Sequence, residues 1–246
     1  MQHRSKKIKK SFFIILVVLI VLSGGSAIYL GNYYHSVDVE KYMNGSSEVS
    51  VKKFDKGWFF DGAGEEKALI FYPGAKVATE AYAPLMYQLA ESGIDCFLVD
   101  MPFHMAFFGM NRAEEIMQEY NYEAWYLGGH SLGGAMAANF VADYVEDHTD
   151  GIRGLLLLAA YPTKDLSTSD MSVVTVYGSE DGVLNMDKIV AGRELMPQDY
   201  KEVCIEGGNH AQFGSYGAQK GDGTAAIPAE EQWARTVEVF VGDESE

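Results

Sequence analysis

Residues 125–140, W-Y-L-G-G-H-S-L-G-G-A-M-A-A-N-F, decide the fold of this chain. The short apolar run Ala124 to Leu127 predicts a buried strand, and the Ala- and Met-rich residues that follow have a helical composition. Between them, Gly129-x-Ser131-x-Gly133 predicts a sharp turn, because glycines at these two positions remove side chains that would clash with neighbouring backbone. A serine held between a strand and a helix in this way exposes its hydroxyl, as a nucleophile requires.

The predicted helix behind Ser131 adds to this interpretation. The first N–H groups of a helix carry partial positive charge, and here they would face a negative oxygen that forms beside the serine. Gly and Ser are also common turn residues, so the same pattern without its context would describe an ordinary turn. The strand before it and the helix after it favour the nucleophile.

A serine hydroxyl needs a base that takes its proton and a third group that orients the base. Asp181 follows the predicted strand Val173–Tyr177, and His210 follows the predicted strand Glu202–Ile205. Loops after the carboxyl ends of parallel strands meet at one edge of a sheet, where active sites form. We therefore expect Ser131, Asp181 and His210 to act together as nucleophile, acid and base.

Other titratable residues are weaker candidates for the acid and the base. Glu180 and Asp165 remain alternatives to Asp181. His104 precedes the serine in the chain, and we expect it to line the substrate pocket instead. His130 adjoins the serine, and on such a turn its side chain is expected to point away from the site.

Attack by the serine creates an oxyanion, which needs two backbone donors. One predicted donor is the N–H of Leu132, directly after the serine, and the other belongs to the loop after the predicted strand Lys67–Tyr72. Pro73 has no N–H. Ala75 is therefore the first choice in this loop, and Lys76 is the second.

The rest of the chain alternates predicted strands with predicted helices. The strands are an edge hairpin of Val49–Phe54 and Trp58–Phe60, then Lys67–Tyr72, Cys96–Val99, Ala124–Leu127, Leu155–Ala159, Val173–Tyr177 and Glu202–Ile205. The helices are Thr79–Ser92, Arg112–Tyr120, the helix after Ser131 to about Glu146, Met186–Leu195 and Pro228–Val241. Continuous apolar strands are typical of sheets buried on both faces. The predicted fold is therefore α/β, one domain with a doubly wound, mostly parallel sheet.

The N-terminus has a different composition. Residues 1–10 carry five Lys or Arg and no acid, and residues 12–30 contain no charge. At about 1.5 Å per residue, a helix of this length just spans a hydrocarbon core of roughly 30 Å. We expect a cytoplasmic tail (1–11), one transmembrane signal anchor (12–30), a linker (31–47) and an extracytoplasmic domain (48–246). Cleavage of a signal peptide near residues 25–27, which would release a secreted domain, remains the alternative.

The charge balance limits the partners of the domain. Without the five N-terminal basic residues, 14 Lys and Arg remain against 35 Asp and Glu, a net charge of −21. Such an acidic domain disfavours nucleic acid and other polyanions as partners. The sequence has no metal-ligand spacing, so neither a metal nor a cofactor is expected.

Four motifs give the chain a family resemblance. They are Tyr72–Val77 (Y-P-G-A-K-V), Gly129–Gly134 (G-H-S-L-G-G), Gly207–Gly214 (G-G-N-H-A-Q-F-G) and Gly221–Thr224 (G-D-G-T). From about residue 67 onward the chain resembles the α/β-hydrolase superfamily, and in particular a bacterial subgroup related to dienelactone hydrolases. The resemblance implies an α/β-hydrolase fold with Ser131 as nucleophile, Asp181 as acid and His210 as base.

One departure from that family concerns the lid. Only residues 161–171 separate two predicted strands where many relatives insert a helical lid, so we expect a lidless, open pocket. Its predicted walls are Phe103, His104, Phe107, Tyr161 and Phe213. Such a site suits small to medium acyl esters, and a monomeric carboxylesterase acting on a small-molecule ester or amide is favoured. An amidase, a thioesterase, a peptidase or a non-catalytic binding module on this fold remains an alternative.

The two cysteines, Cys96 and Cys204, each lie in an apolar predicted strand. The Cα atoms of a disulfide lie within about 7 Å of each other. In the sheet order that the resemblance implies, several strands, each about 4.8 Å from the next, separate the two cysteines. Both are expected to be buried, reduced and unpaired.

Overall fold

A computed structural model describes residues 31–148 and 151–243. The predicted cytoplasmic tail (1–11) and the predicted membrane anchor (12–30) lie outside these residues. Within the described ranges, no helix combines the length and the apolar character needed to cross a membrane.

Eight strands form one sheet. They are β1 (Ser50–Phe54), β2 (Gly57–Asp61), β3 (Lys67–Tyr72), β4 (Asp95–Val99), β5 (Ala124–His130), β6 (Ile152–Leu158), β7 (Ser172–Gly178) and β8 (Tyr200–Ile205). Their order across the sheet is β1-β2-β4-β3-β5-β6-β7-β8. The β1–β2 hairpin pairs antiparallel with β4, and all other neighbours are parallel. The predicted mostly parallel sheet with an edge hairpin is confirmed.

Helices cover both faces of this sheet. They are α1 (Glu40–Met43), α2 (Ala83–Glu91), α3 (Arg112–Glu119), α4 (Leu132–Asp147), α5 (Met186–Gly192) and α6 (Ala229–Asp243). Alternate residues of β3 enter different cores: Leu69 and Phe71 join the core beneath α2 and α6, whereas Ile70 joins the core beneath α3 and α4. Burial on both faces explains why the central strands are continuous apolar runs.

The predicted helix over Thr79–Ser92 begins differently in the structure. Residues Thr79–Tyr82 form a 3₁₀ turn, and α2 starts only at Ala83, with Pro84 in its first turn. Proline lacks the N–H that an interior helical position needs, but the first turn of a helix tolerates it. The loop of residues 159–171 contains no helix, so no lid stands between β6 and β7.

The folded unit that contains the sheet begins at Tyr34, inside the stretch that the sequence analysis assigned to a linker. The N–H of Tyr34 donates to the carbonyl of Lys76 at 2.7 Å, and the N–H of Ala78 donates back to Tyr34 at 2.8 Å. Val39 is buried in the core that contains α2 and α6. Residues 34–43 therefore pack against the domain, because their apolar side chains find partners there that a local sequence pattern does not reveal.

The cysteines lie on β4 and β8, and both are free thiols. Five inter-strand spacings of about 4.8 Å place them roughly 24 Å apart, far beyond the reach of a disulfide. Cys96 is buried as expected. The expected burial of Cys204 is wrong, because β8 lies at the edge of the sheet and the side chain is exposed there.

Candidate active site

Ser131 occupies the turn between β5 and α4. Its backbone has φ 54° and ψ −121°, a conformation that a residue with a Cβ rarely adopts. Its N–H donates to the carbonyl of Leu158 on β6 at 2.9 Å, and α4 begins at the next residue. Strain of this kind costs about 1–3 kcal/mol and persists only where the surrounding structure enforces it.

Close backbone packing explains the two glycines of the G-x-S-x-G motif. A Cβ added to Gly133 would lie 2.1 Å from the carbonyl oxygen of Tyr72 and 2.4 Å from that of Pro73. A Cβ on Gly129 would lie 2.5 Å from the carbonyl carbon of Gly133. The start of α4 thus lies directly against the loop that follows β3, and any side chain would push the two apart.

Asp181 and His210 lie side by side on the loops after β7 and β8. The Nδ1 of His210 is 2.9 Å from Oδ2 of Asp181, and both side chains are 2% exposed. The other carboxylate oxygen, Oδ1, accepts the N–H groups of Val183 at 2.9 Å and Leu184 at 2.7 Å. With Nδ1–H donating to Asp181, Nε2 of a neutral His210 is left as the proton acceptor.

Ser131 and His210 line the same pocket, which has a volume of about 260 Å³. Its remaining walls come from α4, the loop after β6 and the loop before α5: Leu132, Ala135, Ala159, Ala160, Tyr161, Val183, Leu184 and Asn185. The structure therefore brings the three residues predicted as nucleophile, acid and base to one place.

Some N–H groups of the loop after β3 are already bonded within the fold. The N–H of Gly74 donates to the hydroxyl of Tyr82 at 3.0 Å, and that of Lys76 donates to the carbonyl of His104 at 2.7 Å. Lys76, our second choice as oxyanion donor, is thus already occupied. Within residues 31–148 and 151–243 the N–H of Ala75 donates to no group. It remains available for an oxyanion, together with the N–H of Leu132 at the first position of α4.

Of the five residues predicted to line the pocket, the structure places one in its wall and four elsewhere. Tyr161 lines it, but Phe213 is fully buried, with its ring centroid 5.7 Å from that of His130. Phe103 and Phe107 are 58% and 67% exposed, and neither they nor His104 line the pocket beside Ser131. Consecutive positive φ values at Phe103 and His104, 57° and 55°, turn this loop sharply. No glycine marks that turn in the sequence, so the sequence does not indicate that these side chains are exposed.

Sequence reasoning missed the pocket walls contributed by Val183, Leu184 and Asn185. A signal was present, since these residues come two to four positions after Asp181 and Asn185 is a typical N-cap. Its side chain accepts the N–H of Lys188 and so begins α5.

Asp222, in the G-D-G-T motif, was also missed. Its carboxylate accepts four backbone N–H groups: those of Gly182 at 3.1 Å, His210 at 3.2 Å, Gly223 at 2.9 Å and Ala211 at 2.8 Å. One side chain thereby joins the loop of Asp181 to the loop of His210. The motif was visible in the sequence, but nothing local to it indicated which backbone groups it would bind.

The alternative acids make other hydrogen bonds. Asp165 accepts the N–H of Ser167 in an exposed turn, and Glu180 accepts a hydrogen bond from the neighbouring Ser179 hydroxyl. In the part of the chain that the structure describes, no group of three or more His, Cys, Asp or Glu is placed to hold a metal ion.

This chain belongs to the alpha/beta hydrolase family, since a model of that family matches residues 68–234. The subgroup that the motifs indicate stays a prediction. No protein of curated function matches the sequence.

Several solved structures share the fold. An esterase from Pyrobaculum calidifontis has a TM-score of 0.60 at 15% identity, covering 84% of this chain and 88% of that one. Est1E from Butyrivibrio proteoclasticus has a TM-score of 0.56 at 16% identity, covering 81% and 100%. Carboxylesterase CesB from Bacillus subtilis has a TM-score of 0.56 at 9% identity, covering 83% and 96%. At these identities the likeness establishes the fold.

Proposed function

We propose that this protein is a serine hydrolase, with a carboxylesterase favoured. One observation carries the proposal: a serine on a strained turn shares a pocket with a histidine whose Nδ1 is bonded to a buried aspartate. A binding module needs neither the strained serine nor the oriented imidazole. The similar structures named as esterases support the choice of an ester as substrate.

The proposed reaction uses these groups in order. The hydroxyl of Ser131 attacks the ester carbonyl while Nε2 of His210 takes its proton. The N–H groups of Ala75 and Leu132 bind the oxyanion, and Asp181 stabilises the imidazolium that forms. His210 then returns the proton to the departing alcohol. Water, activated by the same imidazole, releases the acyl group and regenerates the serine.

The size of the pocket limits the substrate. A volume of about 260 Å³ lies below the range of roughly 300–1,000 Å³ that is usual for drug-sized ligands. No helical lid lies between β6 and β7 to extend it. The small alanine side chains on its wall leave room for a short acyl or alcohol group, so we propose small to medium esters as substrates.

A fluorophosphonate probe tests the nucleophile. Wild-type protein should be labelled at one site, and Ser131→Ala should abolish both labelling and hydrolysis of p-nitrophenyl acetate. Ser169→Ala is the control, since its hydroxyl donates to the carbonyl of Leu166 in the loop between β6 and β7. An unlabelled wild type, or equal labelling of Ser131→Ala, would leave the non-catalytic binding module as the better account. A series of esters of increasing chain length, with matched amides and thioesters, then defines the preferred substrate.

We also propose that residues 12–30 hold the domain at the outer face of a membrane. The uncharged run and the preceding basic residues support this topology. Full-length protein should sediment with membranes after carbonate extraction, and protease added to intact cells should digest the domain. Release into the medium with a new N-terminus near residue 28 would instead support a cleaved signal peptide.

A further inference from the structure

Beneath the pocket, buried hydrogen bonds connect the loop of Ala75 to the residue before Ser131. The N–H of Gly74 donates to the hydroxyl oxygen of Tyr82 at 3.0 Å, and this oxygen lies 2.8 Å from Nδ1 of His130. Tyr82 is 0% exposed and His130 is 1% exposed. Because both side chains are buried, water cannot replace these bonds unless the core opens.

The protons of this network can be assigned from its donors. The Tyr82 oxygen accepts the N–H of Gly74, so its own proton can go to Nδ1 of His130, 2.8 Å away, and we assign it there. The imidazole is then neutral, with its own proton on Nε2. Burial, together with the charge that His210 can carry, lowers the pKa of His130 well below its usual value and favours this neutral form.

The contacts around the network are close. A Cβ on Gly74 would lie 2.8 Å from the Tyr82 hydroxyl and 2.9 Å from Nδ1 of His130, so only glycine lets the loop approach the pair. The His130 ring also packs against His210, with ring centroids 4.4 Å apart. Its buried Nε2 has no hydrogen-bond partner among the described residues.

We propose that Tyr82 and His130 are positioning residues, which hold the N–H of Ala75 at a fixed place relative to Ser131. Ala75 directly follows the residue bonded to Tyr82, and Ser131 directly follows the residue that receives the Tyr82 proton. The pair thus sets the separation between the loop donor and the nucleophile turn. The inference rests on the proposed hydrolase function.

A change in this separation should affect turnover more than substrate binding. The oxyanion exists in the transition state and not in the bound ester, so its donors contribute to kcat and little to KM. Removal of one oxyanion donor lowers kcat by about 10²–10³ in other enzymes. A donor that is displaced rather than removed should cost less, about 10- to 100-fold.

Tyr82→Phe and Tyr72→Phe form a matched pair for the test. Tyr72 is also 0% exposed, and its hydroxyl accepts the N–H of Ala113 at 3.1 Å and donates to the carbonyl of Met110. Both variants therefore lose a fully buried hydroxyl with two hydrogen bonds, but Tyr72 belongs to the core on the opposite face of the sheet. A difference in kcat between the two variants therefore reflects where the lost hydroxyl lies, because both variants lose a buried hydroxyl.

The measurement is kcat and KM for a p-nitrophenyl ester. We expect Tyr82→Phe to lower kcat by about 10- to 100-fold with KM within about threefold, and Tyr72→Phe to keep kcat within about threefold. Equal losses of kcat, or a change in KM alone, would overturn the positioning role. A wild type that neither hydrolyses esters nor reacts with a fluorophosphonate would instead remove the proposed function and this inference with it.

If Tyr82→Phe does not fold, a second pair of variants, at His130, tests the positioning role. The side-chain oxygen of His130→Asn can take the place of Nδ1 and accept the Tyr82 proton, whereas His130→Leu has no acceptor. His130→Asn should retain about tenfold more of kcat than His130→Leu. Equal kcat values in these two variants would contradict the proposal.

Discussion

Replacement of Asp222 by alanine should lower both the stability and the turnover of this protein. The carboxylate is the shared acceptor of four backbone N–H groups, one of them next to Asp181 and one belonging to His210 itself. Without it, the loops that carry the predicted acid and base lose one attachment and keep two others, from the N–H of Glu180 to the carbonyl of Gly208 and from the N–H of Gly207 to the hydroxyl of Ser179. The 2.9 Å contact between Asp181 and His210 would then lose the support that Asp222 gives to the N–H groups of Gly182 and His210.

The magnitude follows from the number and the exposure of these bonds. A hydrogen bond to a charged group contributes about 1.5–3 kcal/mol, so four fully protected bonds would amount to roughly 6–12 kcal/mol. Asp222 is only half-buried, and water will satisfy part of what alanine leaves open. We therefore expect a loss of about 2–4 kcal/mol of the free energy of unfolding. At about 2–4 °C per kcal/mol for a domain of this size, Tm should fall by roughly 4–16 °C.

Turnover is the decisive measurement, because a purely structural bond would leave it unchanged. Measured well below the Tm of the variant, kcat of Asp222→Ala should fall by about 100-fold, as expected for a misplacement of about 1 Å in the catalytic groups. Asp165→Ala is the control, since that carboxylate accepts a backbone N–H in an exposed turn and is also the alternative acid. A lowered Tm with unchanged kcat in Asp222→Ala would refute the coupling between the loops. A large loss of kcat in Asp165→Ala would refute the assignment of Asp181.

Three further predictions concern single residues. Ser131→Gly should raise Tm by about 2–4 °C while abolishing labelling, because glycine relieves the strain at φ 54°; an unchanged or lower Tm would contradict the strain. His130 has a folded-state pKa well below 6.5, so the unfolded chain binds a proton that the folded chain does not. Stability measured by urea unfolding should therefore fall as the pH drops below about 6.5, by up to about 1.4 kcal/mol per pH unit, and His130→Asn should flatten this slope. In a thiol titration, native protein should react at Cys204 alone and unfolded protein at Cys96 as well; no reaction in the native state would contradict the exposed edge strand.

The sheet was predictable because its strands are specified by their own residues. A strand such as β4 is buried along its whole length, and from Cys96 to Val99 this requirement appears in the sequence as an unbroken apolar run. Whether a strand lies at the centre or at the edge of the sheet is much harder to read from its sequence. Val203, Cys204 and Ile205 form an apolar run like the others, but β8 is an edge strand, and its burial differs from residue to residue.

The same distinction applies to the candidate site. Ser131 and Gly129 are specified by close packing within the turn itself, so the turn could be predicted from the motif, whereas the contact of Gly133 with the carbonyl of Tyr72 appears only in the structure. Aromatic residues in loops, such as Phe103 and Phe213, are not fixed by a backbone requirement of this kind. Whether they reach a pocket, the core or solvent depends on where their loops turn, and the positive φ that exposes Phe103 occurs without a glycine.

Residues that position others are the hardest to find from sequence, because their partners are distant in the chain. Tyr82 and His130 are 48 residues apart, and Asp222 binds a backbone group 40 residues away. Backbone N–H groups are acceptable donors whatever side chain they carry, so the residues that Asp222 binds show no compositional sign of the contact. For His130, the motif predicts only that the side chain points away from the site. Its contacts with Tyr82 and His210 indicate that a buried, neutral histidine beside the nucleophile can act by fixing the distances between the reacting groups.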